Sequence, residues 1–387
     1  MAKIMEPQFN QLALISLLKK HFSMNLARIK CLSMFIVALI DAKSVNLSRV
    51  VTFFSSKASP DSRYKRLKRF LVQIKFVPQH LSLILLEIME ISSTQKLTLI
   101  LDRTNWKFGK KNCNILFLSV AHKGIAIPLF WTILTEQKQG NSTSNDRIEI
   151  IELFVSCFGK ERIDCILGDR EFIGKEWINW LKNEKINFVL RLKEKGQHIS
   201  CSRGGMVKAE QLFYDLKINE FKTLGKCRIS KTNSYRAYVT GLKLKNNELL
   251  VLIHSIFIEN PSELYRSRWE IERLFKSIKK IEFDLEATHI TKEHRLDTLI
   301  SVLSISFCLV YRVGKAYIEV EKPKLKKHGY TPKSITHYGH NCLIEIIRQT
   351  AYAASDRFLK ILNVLKNSLI SPLFNQDLKI VPEIDRF

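Results

Sequence analysis

The chain is 387 residues long, enough for two or three domains and a large buried core, and its 46% apolar and 26% charged residues describe an ordinary globular protein. Sixty-two Lys and Arg against 37 Asp and Glu leave a formal charge of +25, which points to a polyanionic partner, with nucleic acid ahead of a membrane surface or a ribosomal-type assembly. Eight cysteines with no CxxC pair and no Cys/His cluster argue against a zinc site and suggest reduced, buried thiols. The first residues lack the apolar core of a signal peptide. The most apolar runs, Ser33–Ile40 and Leu299–Tyr311, fall short of the roughly 20 residues of a bilayer span and are expected to be buried helices. The expectation is a cytoplasmic protein with no membrane partner.

Residues 1–95 are expected to form a helical, basic domain. Apolar residues recur at helical spacing in Leu12–Leu18, Leu32–Ile40 and Val50–Phe54, and the region holds 14 Lys/Arg against 5 Asp/Glu. The polar break Ser55–Ser62 precedes a basic helix, Arg63–Phe70. A helix, a polar turn and a basic helix suit a helix-turn-helix-like element on DNA, with Arg63, Arg66 and Arg69 as candidate contacts. A solvated helix face is the alternative, and the global charge favours DNA.

The texture changes at Lys96. Leu97–Leu101 is a short apolar run closed by Asp102, as a buried strand would be. Asn114–Ala121 and Ile125–Leu134, parted by His122-Lys123-Gly124, predict a hairpin. A helix follows at Arg147–Phe158, then a strand Ile163–Leu167 ending in Gly168-Asp169, then a helix through Trp177 and Trp180. This alternation predicts an α/β core of mixed sheet, whose first part covers residues 96–186. Residues 187–258 interrupt it with strand-like pieces at Phe188–Leu192, Cys227–Ser230, Tyr235–Leu242 and Glu248–Ile256, with turns at Gly204-Gly205 and Asn246-Asn247. A β-rich insertion is expected there. The rest of the core, residues 259–320, opens with a long helix from about Pro261 to Lys280. Residues 321–387 supply a basic linker, Lys322–Tyr330, and C-terminal helices, the natural place for a dimer contact.

Asp102 and Asp169 each close a predicted core strand. A strand-end Asp is commonly only a turn former or a helix cap. The helix at 261–280 adds weight. Tyr265, Arg268, Glu272, Lys276 and Lys279 stand at offsets that fall within a stripe of roughly 60–80°. Leu264, Ile271, Leu274, Phe275 and Ile278 take the other side. One carboxylate among a phenol, a guanidinium and two ammoniums suits a metal with phosphate oxygens on either side. A plain i,i+4 salt bridge between Arg268 and Glu272 is the competing explanation. The neighbours Glu263, Arg266, Glu270 and Arg273 mix both signs as a solvated face does.

The string Tyr265-x2-Arg268-x3-Glu272-x6-Lys279 resembles the Y-(2)-R-(3)-E-(6)-K signature of bacterial DDE transposases in insertion sequence family four. Leu101-Asp102-Arg103-Thr104-Asn105-Trp106 is similar to that family's first-aspartate motif, and Gly168-Asp169-Arg170-Glu171-Phe172 to its second. The resemblance covers roughly residues 95–312, and Lys327-His328-Gly329-Tyr330 looks like the linker after the core. It implies a ribonuclease-H-like core in which Asp102, Asp169 and Glu272 are catalytic and hold two Mg²⁺ or Mn²⁺. It also implies that Tyr265, Arg268 and Lys279, and more weakly Lys276, grip phosphates at the transposon end beside a flipped base. Trp269 offers a stacking surface, or else buried packing. The implied function is cut-and-paste transposition through a hairpin, by a dimer acting on transposon ends and target DNA in a bacterial cytoplasm, at the nucleoid. A ribonuclease-H-like nuclease or resolvase, and a non-catalytic transposase remnant that only binds DNA, are the alternatives.

Overall fold

A computed structural model of the chain describes residues 9–109, 111–134, 142–193, 197–200, 205–230, 234–326, 331–348 and 356–374. The chain divides into two compact units, one made of residues 1–92 with 276–387 and the other of residues 93–275.

The first unit opens with helices α1 (Gln11–His21), α2 (Leu26–Ala42), α3 (Leu47–Val50), α4 (Pro60–Gln73) and α5 (Pro78–Ile88). Local chemistry sets their starts. The side chains of Asn10, Asn25, Asn46 and Ser59 accept from the first free amides of α1 to α4, and Pro60 takes the first position of α4, where a missing N–H costs nothing. Helix α4 is the basic helix foreseen after the polar break.

The second unit is built on one ten-stranded sheet in the order β3-β2-β1-β4-β5-β10-β9-β8-β6-β7. Its strands are β1 (Leu97–Phe108), β2 (Lys111–His122), β3 (Ile125–Leu134), β4 (Ile163–Gly168), β5 (Phe188–Leu192), β6 (His198–Ser200), β7 (Val207–Lys208), β8 (Phe221–Ile229), β9 (Tyr235–Lys243) and β10 (Leu249–His254). Strands β1, β4 and β5 run parallel, while β2 and β3 flank them antiparallel. The hairpin of β2 and β3 turns on Lys123 and Gly124, both at positive φ, the geometry a two-residue hairpin needs. Helices α6 (Ser144–Phe158) and α7 (Lys175–Asn183) provide the crossovers, and α6 starts in a capping box of Thr143 and Asp146. Strand β10 pairs antiparallel with β5, so the strands expected as an insertion continue the core sheet. Among them β6, β7 and the short α8 (Ala209–Leu212) have no counterpart in the sequence reading.

Three expectations are corrected here. Asp102 does not end its strand: β1 runs on to Phe108, because after its pairing with β4 stops at Leu101↔Gly168 it keeps pairing with β2 as far as Phe108↔Lys111. The helix from Pro261 to Lys280 is not uniform. It forms α9 (Pro261–Arg266), tightens through i→i+3 bonds at Ser267 and Arg268, resumes as α10 (Trp269–Lys276), and widens to a π turn at Ser277–Ile281. The expectation of free, buried thiols holds for Cys31, Cys113, Cys165, Cys308 and Cys342; Cys157 is free but only half-buried, and Cys227 is disulfide-bonded. A disulfide is set by Cβ spacing in the fold, which sequence spacing does not disclose.

The chain returns to the first unit with α11 (Glu293–Glu321), α12 (Ile335–Ile347) and α13 (Asp356–Leu365). Helix α11 is long and apolar enough to cross a membrane, contrary to the estimate from its Leu299–Tyr311 run alone, yet 89% of its most apolar window is buried inside the fold. It is the central helix of its unit, packed by α2, α4, α5, α12 and α13. Each of its fully buried large apolar side chains contributes roughly 1.5–3 kcal/mol. Its crossing with α12 depends on two glycines: a Cβ on Gly314 would lie 2.1 Å from the Ile335 carbonyl oxygen, and one on Gly339 would lie 1.9 Å from that of Val310. Lys327-His328-Gly329-Tyr330 and Gly204 lie outside the described residues.

Candidate active site

The parallel register of β1 and β4 builds the site. Leu101 pairs with Gly168, so the next residues, Asp102 within β1 and Asp169 just past the end of β4, stand on adjacent strands at the same level. Gly168 lets the chain pass closely over Phe172 and Leu190; a Cβ there would meet the Leu190 side chain at 2.9 Å. Asp169 then caps the turn Arg170–Phe172, accepting from the Arg170 amide at 2.7 Å.

Asp102 Oδ1 accepts from the Arg103 amide at 2.7 Å, and Oδ2 accepts from Arg268 Nη1 at 3.1 Å. The same guanidinium donates through Nη2 to Glu272 Oε1 at 2.5 Å. One cation on the Glu-bearing segment thus bridges an acid from the sheet and an acid from the helix. The i,i+4 salt bridge weighed as the competing explanation is formed, and it is one half of this larger arrangement. Burial pushes the Asp102 carboxyl up to about 6; Arg268 and the Arg103 amide pull it down, while Glu171 and Asp169 push it further up. Negative charge therefore converges on Asp102 from two sides. Tyr265 is buried, its ring faces the Arg268 guanidinium at 5.8 Å, and burial holds its hydroxyl well above the usual tyrosine range.

Helix α10 is clamped onto the β2–β3 hairpin. Glu270 accepts from the amides of His122 (2.7 Å) and Gly124 (2.9 Å), and Arg273 donates to the Gly124 carbonyl at 2.9 Å. Phe275 meets Phe117 edge to face at 5.5 Å, and Phe117 is the cross-strand partner of Asp102. A second layer holds the strand ends. Arg103 forks onto Glu171 with both distances at 3.2 Å and reaches Asn114 Oδ1 at 3.0 Å. The buried Arg147 donates to the Glu171 carbonyl at 2.9 Å and lies over the Phe172 ring.

The residues singled out from sequence thus fall into groups. Asp102, Tyr265, Arg268 and Glu272 meet around one guanidinium, and Asp169 flanks them. Lys276 and Lys279 belong to the other unit, where Lys276 is exposed and Lys279 pairs with Glu286 at 3.0 Å. Arg63 is occupied locally, donating to the carbonyls of Ala58 (2.9 Å), Ser56 and Val51, whereas Arg69 is exposed and Arg66 half-exposed on α4. Trp269 is exposed rather than packed. Sequence reasoning missed Glu270 and Arg273, which look like part of a solvated face. It also gave no role to Arg103 and Glu171, although both stand inside the two aspartate motifs.

Among the described residues, no three His, Cys, Asp or Glu side chains are grouped so as to hold a metal ion. The donor set is nonetheless one of hard oxygens: two aspartates on adjacent strands, and a glutamate tied to one of them through Arg268. Residues 94–309, more than half of the chain, match the family model described as the transposase DDE domain. No curated protein matches the chain.

Proposed function

Since the chain belongs to the transposase DDE domain family, a family that acts on DNA, we propose that it is a cut-and-paste transposase of insertion sequence family four. In this reading it binds the terminal inverted repeats of its element and cleaves and rejoins DNA strands at Asp102, Asp169 and Glu272, passing through a hairpin at the transposon end. The observation that carries the proposal is the single Arg268 guanidinium joining Asp102 to Glu272, beside an Asp169 whose charge is felt at Asp102.

Asp102, Asp169 and Glu272, hard-oxygen ligands, would hold Mg²⁺ or Mn²⁺, two ions in this reading, which would supply Lewis-acid activation of the attacking oxygen and neutralise charge at the leaving oxygen. The protein's own residues do the positioning. Arg268 fixes Asp102 and Glu272 in the resting site, and in this reading it presents donors to phosphate oxygens together with Tyr265, with Lys279 and Lys276 as further phosphate contacts. The exposed Trp269 ring offers a surface for an unstacked base. Residues 1–95, with Arg66 and Arg69 on α4, serve as a DNA-binding domain, and Arg63 supports the loop before that helix. Residues 187–258 extend the core sheet begun in residues 96–186, and residues 259–275 bring Glu272 to the same unit. Residues 321–387 take part in a homodimer that holds two ends together. The protein works in the bacterial cytoplasm, on the nucleoid.

Glu272→Gln tests the assignment. With Mg²⁺ and a duplex carrying the element's own ends, the variant should bind the ends within a few-fold of the wild type and lose strand cleavage and strand transfer together. Retained nicking would remove Glu272 from the chemistry. Cleavage by the wild type without strand joining would favour a ribonuclease-H-like nuclease, and binding without either activity would favour a remnant that only binds DNA.

A further inference from the structure

The first unit contains a second basic feature that the reading above does not use. A cavity of about 310 Å³ opens between the N-terminus of α3, one face of α4, and the segment that leads into α11. Among the residues that line it are Lys68 and Tyr64 from α4, Ser48 from α3, and His289, Lys292 and Arg295 from the last segment. Among the described residues, no Asp or Glu lines it.

The chemistry of this lining is selective. Three permanent cations come from two separate elements, and hydroxyl donors stand between them. Such a set repels cations and gives an anion both charge and directed hydrogen bonds. The Arg295 side chain adds a specific demand: its Nε is buried and has no hydrogen-bond partner. A buried guanidinium N–H without an acceptor is costly, so an oxygen ligand that reaches it gains more than one meeting a solvated cation. Lys68, whose ammonium stands 5.6 Å from the Tyr64 ring centre, is exposed at the pocket's edge and is free to follow a ligand. The cavity is larger than a bare phosphate and suits a phosphate with its attached sugar.

We propose that this pocket seats one phosphodiester of bound DNA, with Arg295 inside and the exposed Lys292 and Lys68 closing over it from its rim. The proposal rests on the reading of the chain as a DNA-acting transposase and adds a defined backbone anchor in the first unit. It involves a different face of α4 from the exposed Arg69, and such an anchor fixes register on the duplex without reading sequence.

The test measures DNA affinity of the full chain by fluorescence anisotropy with a labelled duplex carrying the element's end, from about 50 to 300 mM KCl. Each phosphate contact contributes about 0.9 to the slope of log K against log salt. The double variant Lys292→Gln/Arg295→Gln should lower that slope by about 1 and weaken binding roughly tenfold near 0.1 M salt. Lys68→Gln, at an exposed position that leaves the fold intact, should give a smaller change in the same direction. Lys19→Gln on α1, outside the pocket, should leave the slope unchanged. Arg295→Lys should keep the slope and lose part of the affinity, because the charge stays while the fork is lost.

An unchanged slope in both pocket variants overturns the proposal, as does an equal drop in Lys19→Gln. A pocket-dependent rise in melting temperature with deoxyadenosine monophosphate or inorganic phosphate, with DNA binding unaltered by the variants, would assign the site to a free anion and overturn it too. Failure of the wild type to bind DNA at all would instead strike at the proposed function itself.

Discussion

Replacing Asp102 with Asn measures the electrostatic strain at the site directly. Burial, joined by the nearby Glu171 and Asp169, outweighs the pull of Arg268 and lifts the carboxyl from its ordinary 3.8 to about 6. A raised carboxylate means that the folded state holds this proton more tightly than the unfolded chain. Its stabilising share is fully present below the unfolded value, falls as pH rises through the interval up to about 6, and stays lost above it. A shift of about two units corresponds to roughly 3 kcal/mol. Asn is neutral at every pH but has a single acceptor oxygen, so it keeps only one of the two contacts, to the Arg103 amide or to Arg268. The stability of the variant relative to the wild type should therefore rise by up to roughly 3 kcal/mol between about pH 4 and about pH 8, on top of a pH-independent offset from the lost contact. For a unit of this size that is a rise in melting temperature of about 6–12 °C. Urea and thermal unfolding of both proteins across this pH range, with chelator present, supply the comparison. A difference that stays flat with pH refutes the burial argument. A relative stability that falls toward the alkaline end refutes it more strongly, since the ion pair with Arg268 would then dominate desolvation.

Glu270→Ala removes both carboxylate contacts to the β2–β3 turn and should cost about 2 kcal/mol in urea unfolding. Under the proposed function it should also slow cleavage more than tenfold while end binding changes little, because the helix bearing Glu272 loses its clamp. Gly339→Ala places a Cβ against backbone atoms of α11, so the two helices must part; a loss of about 3 kcal/mol is expected, and a loss under about 0.5 kcal/mol would show that the crossing relaxes freely. His340 and Glu282 are fully buried and joined at 2.9 Å, with His340 also bonded to the Ile40 carbonyl. Glu282→Ala alone should cost about 2–3 kcal/mol, and adding His340→Leu should recover part of it; strict additivity in that double-mutant cycle would mean the two do not act as a pair.

The parts of the fold that were legible in the sequence are those whose pattern is local. Apolar runs ended by turn chemistry gave the β2–β3 hairpin at Lys123-Gly124, while the basic helix expected from Arg63 starts three residues earlier, at Pro60 behind a Ser59 cap. The second half of β1 was hidden because it pairs on one edge only: Trp106 is buried while Lys107 and Phe108 are exposed, so the apolar run stops at Leu101 although the strand does not. Strands β6 and β7, three and two residues long, carry no periodicity to detect. The tightening at Ser267 and Arg268 leaves no mark in an offset pattern that assumes an ideal helix. At the site, fixed spacing drew attention to Tyr265, Arg268 and Glu272, and the geometry places all three around one point. Glu270 was missed for a definite reason. Its partners are backbone amides 148 and 146 residues away, and a backbone amide has no side-chain identity for a sequence to display.

The two halves of the Arg268 bridge are unequal, and the inequality bears on how the site would accept substrate. The guanidinium and Asp102 are both largely buried, with side-chain exposures of 6% and 17%, whereas Glu272 is 59% exposed. An exposed i,i+4 pair contributes only about 0.3–0.5 kcal/mol, whereas Asp102 lies within β1 and is also held by the Arg103 amide. Under the proposed function, a phosphate oxygen that approaches Arg268 would therefore displace Glu272 and leave Asp102 in place. The released carboxylate stays on a helix that Glu270, Arg273 and Phe275 hold against the hairpin, so it keeps its station. On this argument Arg268 holds Glu272 weakly enough to exchange it for substrate, while β1 and the Arg103 amide hold Asp102 firmly enough that the same exchange does not dismantle the sheet side of the site.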